Sequence, residues 1–341
     1  MRSEFSRQNI LREHAYDAPL VVGGVRCHGG FVDGRYVSPR TLVRATAIAA
    51  WQSRLPAGEL AAVLDPITAC TPPHFPGDAQ TMLLVREGVT MPLVRILTLI
   101  ANIEGFGGEV LRTLALPPLR ERVVGPIDGT ALAHLEALFE AHARDETGHR
   151  LMWELARDLA LDRPQIPPDL ATAVAPSGGA GLLPEISADL DALVVRMLGV
   201  LTIEVFAMEV FRWAKAVLGD PALFPRHAET RALIGHIQED ETPHVAYLAT
   251  ALAELRCRTL VGARGGTVAG GGVVDRARDM IVAFQSGPRQ RANVEFRTQV
   301  VERYTTGHPR REAVLAEFRR LGAAVEGQGE GRAAADSASN G

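Results

Sequence analysis

The stretch I-E-G-F-G-G-E-V-L-R at residues 103–112 returns at residues 203–212 as I-E-V-F-A-M-E-V-F-R. The shared frame is I-E-x-F-x-x-E-V-x-R. Each copy is followed by D-E-T-x-H: Asp145-Glu146-Thr147-Gly148-His149 after the first, Asp240-Glu241-Thr242-Pro243-His244 after the second. In a helix, positions i and i+3 share a face. Glu146 and His149 therefore point the same way, as do Glu241 and His244. A single Glu-x-x-His turns up by chance in many helical proteins. Two copies, each behind an aspartate and each downstream of the same glutamate-bearing segment, carry far more weight.

Around these motifs the sequence reads as four long helical segments. They run from about Pro92 to Leu116, from Asp128 to Leu161, from Ser187 to Leu218 and from His227 to Cys257. The first and third carry the I-E-x-F frame and the second and fourth carry D-E-T-x-H. Connections within each pair are short, so each pair is expected to form an antiparallel hairpin. The link at 162–185 is long and rich in Pro, Gly and Ala. Twenty-odd residues reach roughly 70–80 Å, enough to return along a whole bundle. Residues 1–37 read as irregular or β-like, with Gly23-Gly24, Gly29-Gly30 and Asp33-Gly34 as hairpin turns. Ser38-Pro39 reads as the start of a helix, and shorter helices are expected near 59–65 and 78–87. Gly262–Gly272 reads as a glycine-rich linker, followed by amphipathic helices to about Leu321 and a disordered tail at 322–341. The expected organisation is an extension (1–89), a bundle (90–257), C-terminal helices (258–321) and the tail.

One glutamate on each of two helices, plus a Glu-x-x-His on each of two others, is the ligand set of a di-iron or di-manganese carboxylate centre in a four-helix bundle. Each I-E-x-F segment offers two glutamates, about 140° apart on the helix. Glu109 has Arg112 three residues on and Glu209 has Arg212, spacings that make local ion pairs. Glu104 and Glu204 have no basic residue one turn away, and an unpaired carboxylate in an apolar run is costly unless a metal neutralises it. The expected ligands are Glu104, Glu146, His149, Glu204, Glu241 and His244, with Glu109 and Glu209 in support. A metal-bound histidine usually donates its other ring N–H to a carboxylate or carbonyl, which assigns that task to Asp145 and Asp240. His142, one turn before Glu146, is either a third histidine ligand or a hydrogen-bonded bundle histidine. Ile237 stands at the equivalent place in the second half. Pro243 should kink the fourth helix. Tyr247 either carries a radical or fills space; His236 reads as structural, and Cys27-His28 as too little for a second site. Gly107-Gly108 stand where the second copy has Ala207-Met208, and either open a substrate pocket or let helices approach closely.

The chain has 341 residues, 47% of them apolar and 22% charged, enough to bury a sizeable core. A net charge of −4 gives no electrostatic reason to expect nucleic acid or an anionic membrane as partner. Cys27, Cys70 and Cys257 are isolated, so neither a cysteine-ligated zinc site nor a disulfide framework is supported. A reducing cytoplasm is the simpler setting. The most apolar stretch, near 193–208, contains Arg196 and Glu204, which argues against a membrane span.

With the repeated Glu and D-E-x-x-H segments in hand, residues 90–257 resemble the ferritin-like di-iron carboxylate superfamily, and the D-E-x-x-H form is most similar to its oxygen-activating branch. The resemblance implies an all-α fold: a ferritin-like four-helix bundle with extra helices and a short irregular or β-like N-terminal segment. It implies two iron ions, with manganese also admissible, held by the six residues named. It further implies a non-haem oxygenase or oxidase that uses O2 to hydroxylate, N-oxygenate or desaturate a small organic substrate, supplied by an external electron donor, and it permits a homodimer. A ferroxidase or iron store, a manganese catalase and a radical-generating subunit use the same ligand set and stand as alternatives.

Overall fold

A computed structural model describes residues 5–113, 115–170 and 181–323. In chain order it contains α1 (Arg7–Ile10), β1 (Ala18–Val22), β2 (Val25–Val32), β3 (Arg35–Val37), α2 (Thr41–Gln52), α3 (Glu59–Ala69), α4 (Asp78–Arg86), α5 (Met91–Thr113) and α6 (Leu119–Arg122). There follow α7 (Leu135–Leu161), α8 (Ala188–Leu218), α9 (His227–Arg256), β4 (Thr259–Val261), β5 (Thr267–Ala269), α10 (Gly270–Phe284), α11 (Gln290–Tyr304) and a last helix, α12, over 311–323. The protein is mostly helical, with its three-stranded sheet confined to the N-terminal region. No described helix is long and apolar enough to cross a membrane.

The four long segments expected from the sequence are α5, α7, α8 and α9. α5 lies antiparallel on α7: Thr98 meets Arg157, Glu104 meets Trp153 and Arg112 meets Thr147. α8 lies antiparallel on α9, where Lys215 binds Gln238, and α7 in turn lies antiparallel on α9, where His142 meets Tyr247 and His149 meets Asp240. Their apolar faces form two cores. One contains Leu138, Met197, Leu201, Leu248 and Leu252; the other contains Leu97, Trp153, Phe211, Trp213 and Ile237. Both cores are almost free of water, and each fully buried Leu, Ile or Phe contributes roughly 1.5–3 kcal/mol. Between them lies a level of buried Glu, Asp and His.

The smaller elements enclose this frame. The sheet β1–β2–β3 is antiparallel, with Ala18 opposite Phe31 and Phe31 opposite Tyr36, and it docks on α7 through β2. α2 and α3 cover α9, α4 covers α8 and α11 covers α5. α9 runs through Pro243 without interruption.

Three expectations are corrected. The first helix after the sheet begins at Thr41, because the Pro39 carbonyl accepts from His14 N–H and the His14 ring meets Leu42 N–H. α7 begins at Leu135 after a 3-10 turn, not after Asp128, because the Glu254 carboxylate from α9 accepts from Ala131 and Leu132 N–H, each at 3.1 Å. Both causes are tertiary. The supposed linker 262–272 contains the turn and second strand of a hairpin and the start of α10: β4 pairs with β5, and Gly265 and Gly266 turn the chain at φ +83° and +73°. The expected long link at 162–185 is described only in part, since residues 171–180 lie outside the described residues. The tail from 324 lies outside them as well.

Gly270 packs so closely on α9 that a Cβ would stand 1.9 Å from the Leu255 carbonyl oxygen. Gly270→Ala should therefore force the hairpin and α10 off α9 and cost about 1–3 kcal/mol. A urea melt measures this, and a wild-type midpoint would refute the close packing.

Candidate metal centre

α7 and α9 bring their D-E-T-x-H segments to one level. His149 Nδ1 lies 2.8 Å from Glu241 Oε1, and His244 Nδ1 lies 2.5 Å from Glu241 Oε2. Glu146 Oε1 stands 3.6 Å and 3.3 Å from the same two nitrogens. α5 adds Glu104, whose Oε2 is 3.9 Å from His149 Nδ1. α8 adds Glu204. With their histidines the glutamates fall into two overlapping groups: Glu104, Glu146, His149 and Glu241; and His142, Glu146, Glu204, Glu241 and His244; a further group without a glutamate is His28, His149 and Asp240. Within each group one ligand atom per residue lies within 4.8 Å of the others. Glu146 and Glu241 belong to both glutamate groups, so each is placed to bridge two cations.

The six residues singled out from the sequence thus come together, and His142 joins them. Its Nε2 is 3.1 Å from both Glu146 Oε1 and Glu204 Oε1, while its Nδ1 is 2.9 Å from the Tyr247 hydroxyl. Its ring stacks on His244 with centroids 3.6 Å apart. Glu109 and Glu209, expected in support, belong to none of these groups. Glu109 is exposed and pairs with Arg112 at 3.2 Å; Glu209 pairs with Arg212, which also holds Asp78. Five residues rotate a helix by about 140°, so one glutamate of each segment faces the cluster and the other cannot.

The aspartates act crosswise. His149 Nε2 is 3.3 Å from Asp240 Oδ2 on α9, and His244 Nε2 is 3.2 Å from Asp145 Oδ2 on α7. Each aspartate orients the histidine of the opposite helix and leaves Nδ1 free to face the glutamates. Sequence reasoning missed the next layer. Arg44 Nη1 lies 2.7 Å and Arg40 Nη2 3.1 Å from Asp145, and both guanidiniums are buried. His28 Nε2 is 3.1 Å from Asp145, and the Tyr36 hydroxyl donates to Asp240 at 2.7 Å. His236 stacks on Tyr36. On α5's side, Trp153 Nε1 donates to Glu104 Oε1 at 2.9 Å. One local signal was present: Gly148 is the only residue that admits His28, since a Cβ there would meet its ring at 2.5 Å.

The electrostatics are those of a buried, crowded cluster of carboxylates and imidazoles. Burial, with the charges of Glu146 and Glu241, pushes Glu104 well above the usual carboxylate range. Burial and Glu241 push Glu204 up to about 7, against the opposing pull of His142. Burial opposes charge on Glu146, but the imidazoles of His142, His149 and His244 outweigh it and hold its carboxyl low. Burial and the neighbouring His142 act to lower His244, yet Glu241, Asp145 and Glu146 raise it to about 9. Burial also acts against His149, and Glu241 and Asp240 override it. Glu146 Oε1 and His149 Nδ1 are buried and, beyond their ion-pair contacts within the cluster, accept or donate no aligned hydrogen bond. Such ligand atoms of one carboxylate and one imidazole, aimed at the same space, fit a metal ion.

Of the two glycines expected to open a pocket or to let helices approach, Gly108 packs tightly on α7 and Gly107 lies in ordinary contact with it. A Cβ on Gly108 would stand 3.0 Å from the Ala143 carbonyl oxygen and 3.3 Å from Glu146 Cβ, and one on Gly107 3.6 Å from Glu146 Oε2. The glycines let α5 approach α7 and its carboxylate. No family model matches the chain, and neither a curated protein nor a solved structure matches it.

Two outcomes are expected. Protons and metal compete for Glu204, near 7, and His244, near 9. As pH rises through these values the protons leave, so metal affinity should rise steeply from pH 6 to pH 9, as measured by isothermal titration. A flat profile would show that these groups do not ligate. Gly108→Leu should overpack the α5–α7 contact and cost about 1–3 kcal/mol; a thermal melt equal to wild type would restore the pocket.

Proposed function

We propose that this protein is a ferritin-like dinuclear metalloenzyme that uses O2 to oxidise a small organic molecule. The observation that carries this reading is a charge count. Six carboxylates, those of Glu104, Asp145, Glu146, Glu204, Asp240 and Glu241, are buried or nearly so at one level. Two buried guanidiniums, Arg40 and Arg44, face one of them, Asp145. With every carboxylate ionised and every imidazole neutral, the state in which they would bind metal, four negative charges are left over, the charge of two divalent cations. Carboxylate and imidazole donors suit iron and also admit manganese.

Glu104 and His149 would hold one ion, and His142, Glu204 and His244 the other, with Glu146 and Glu241 between them. Bound there, a redox-active pair such as iron supplies the electrons that activate dioxygen, replenished by an external donor. The chain's own residues do the rest. Asp145 and Asp240 fix the histidine tautomers, and Trp153 holds one oxygen of Glu104.

Access is from the glutamate side. The side chains of His149 and His244 are fully buried, whereas those of Glu104 and Glu204 are 12% and 10% exposed. Ile103, Phe106 and Val110 on α5, with Ala207 and Val210 on α8, are only partly buried, and Ile203 is exposed. An apolar seam of this kind favours an apolar substrate over a charged one. A radical-generating role is the second reading, supported by one contact: the fully buried Tyr247 hydroxyl beside His142.

Metal analysis with oxygen uptake tests the proposal. The reduced protein should hold two irons per chain and consume O2 in a single rapid turnover without accumulating ferric mineral. Glu104→Ala or Glu204→Ala should lose half or all of the metal, whereas Glu109→Ala and Glu209→Ala should keep it. Mineral build-up would indicate storage, and a stable tyrosyl signal lost in Tyr247→Phe would indicate the radical role.

A further inference from the structure

Arg44 is fully buried, and apart from its ion pair with Asp145 its guanidinium makes no hydrogen bond. Other buried arginines are better served: Arg95 donates twice to Asp169, and Arg157 to Thr98 and Asp158. A buried ion pair contributes little to stability, since apolar side chains of similar volume often serve as well or better. Arg44 therefore needs another reason to be there. Its position supplies one. Asp145 accepts the charge of Arg44 and Arg40 on one side and faces His244 Nε2 on the other. Asp240, which faces His149, meets only the Tyr36 hydroxyl and, at 3.8 Å, His28. A fixed positive charge thus reaches one histidine of the cluster through a carboxylate, and the other histidine has no such neighbour.

We propose that Arg44, with Arg40 beside it, is a positioning residue that sets the reduction potential of the dinuclear centre. The proposal rests on the metal reading above. With both guanidiniums present, two divalent ions bring the buried level to neutrality. Oxidation of an ion from +2 to +3 then adds uncompensated positive charge, and on the His244 side that charge lies beyond only one imidazole and one carboxylate from a guanidinium. Arg44 accordingly disfavours the oxidised pair and holds the centre in the reduced state that meets O2. It also drains negative charge from Asp145, which makes His244 a weaker electron donor than His149. Burial keeps solvent and salt from screening either effect.

The experiment is a redox titration of the iron-loaded full chain, poised with dithionite and mediators. Each ferric ion takes one electron from the mediator to become ferrous, and the ferric absorbance is the readout. Arg44→Met should shift the midpoint to more negative potential by at least a tenfold change in the oxidised-to-reduced ratio, about 59 mV for one electron. Arg44→Lys, which keeps the charge and changes the shape, should shift it by less than half as much. Arg40→Met, at the outer end of the network where Arg40 also holds the exposed Glu13, should shift it in the same direction and carries the test if Arg44→Met does not fold. Two irons bound with an unchanged midpoint in the Met variants would overturn the proposal and leave the metal reading standing. A Lys variant shifted as far as the Met variant would also overturn it, because geometry rather than charge would be responsible. A wild-type protein that takes up no metal would remove the metal reading and the proposal together.

Discussion

Buried charge organises this molecule. Four glutamates, two aspartates and three histidines share one level between two apolar cores. An isolated carboxylate moved out of water costs far more than a domain's net stability, so such a level persists only where every charge has a counterpart. The crossed Asp–His contacts, the converging guanidiniums and the mutual contacts of histidine and glutamate supply part of that balance. The remainder is four negative charges, which cations must meet or protons must cancel. Binding of two divalent ions to the native state would therefore stabilise the fold as well as equip it.

The same constraint explains how the elements are arranged. α7 and α9 each carry a ligand pair and the aspartate that orients the other helix's histidine. Neither helix can turn about its axis without breaking both halves of the site. The N-terminal sheet closes the histidine side, with His28 and Tyr36 reaching the two aspartates from β2 and β3. The opposite side, between α5 and α8, is left to partly buried apolar residues. The side chains of His149 and His244 are thus fully buried, and the little exposure the cluster has is at Glu104 and Glu204.

Much of this could be read from the sequence because the periodicities involved are local. Helical spacing puts Glu146 with His149 and separates Glu104 from Glu109, and the end of α8 is marked by Gly219, Asp220 and Pro221. The parts that could not be read depend on contacts between distant segments. Nothing near Arg40 or Arg44 says that α2 will lay them on Asp145, some hundred residues away. The start of α7 is set by Glu254 of α9. The glycines of 262–272 fit a linker by composition, and only the close approach of Gly270 to α9 shows their use. Gly107 and Gly108 fit a pocket or a helix contact equally well until Ala143 and Glu146 are seen beneath them.

The two halves of the repeat depart from each other where the rest of the chain touches them. The third residue after Asp145 is Gly148, and the third after Asp240 is Pro243. Gly148 is small because His28 lies against it. Pro243 lines a surface groove between α9 and α2, together with Ala45, Ile48 and Ala49. His142 in one half has Ile237 as its counterpart in the other, and Ile237 is core. The Gly148 difference thus has a neighbour that requires it, and the other two follow different surroundings. A pseudo-symmetric frame of helices, covered by an unsymmetric shell, yields two groups of candidate ligands that share Glu146 and Glu241 and differ in their other members. One has Glu104 and a single imidazole; the other has Glu204 and two. That inequality is a consequence of which segments dock on which helix, so the chemistry of the pair is written partly outside the bundle that holds it.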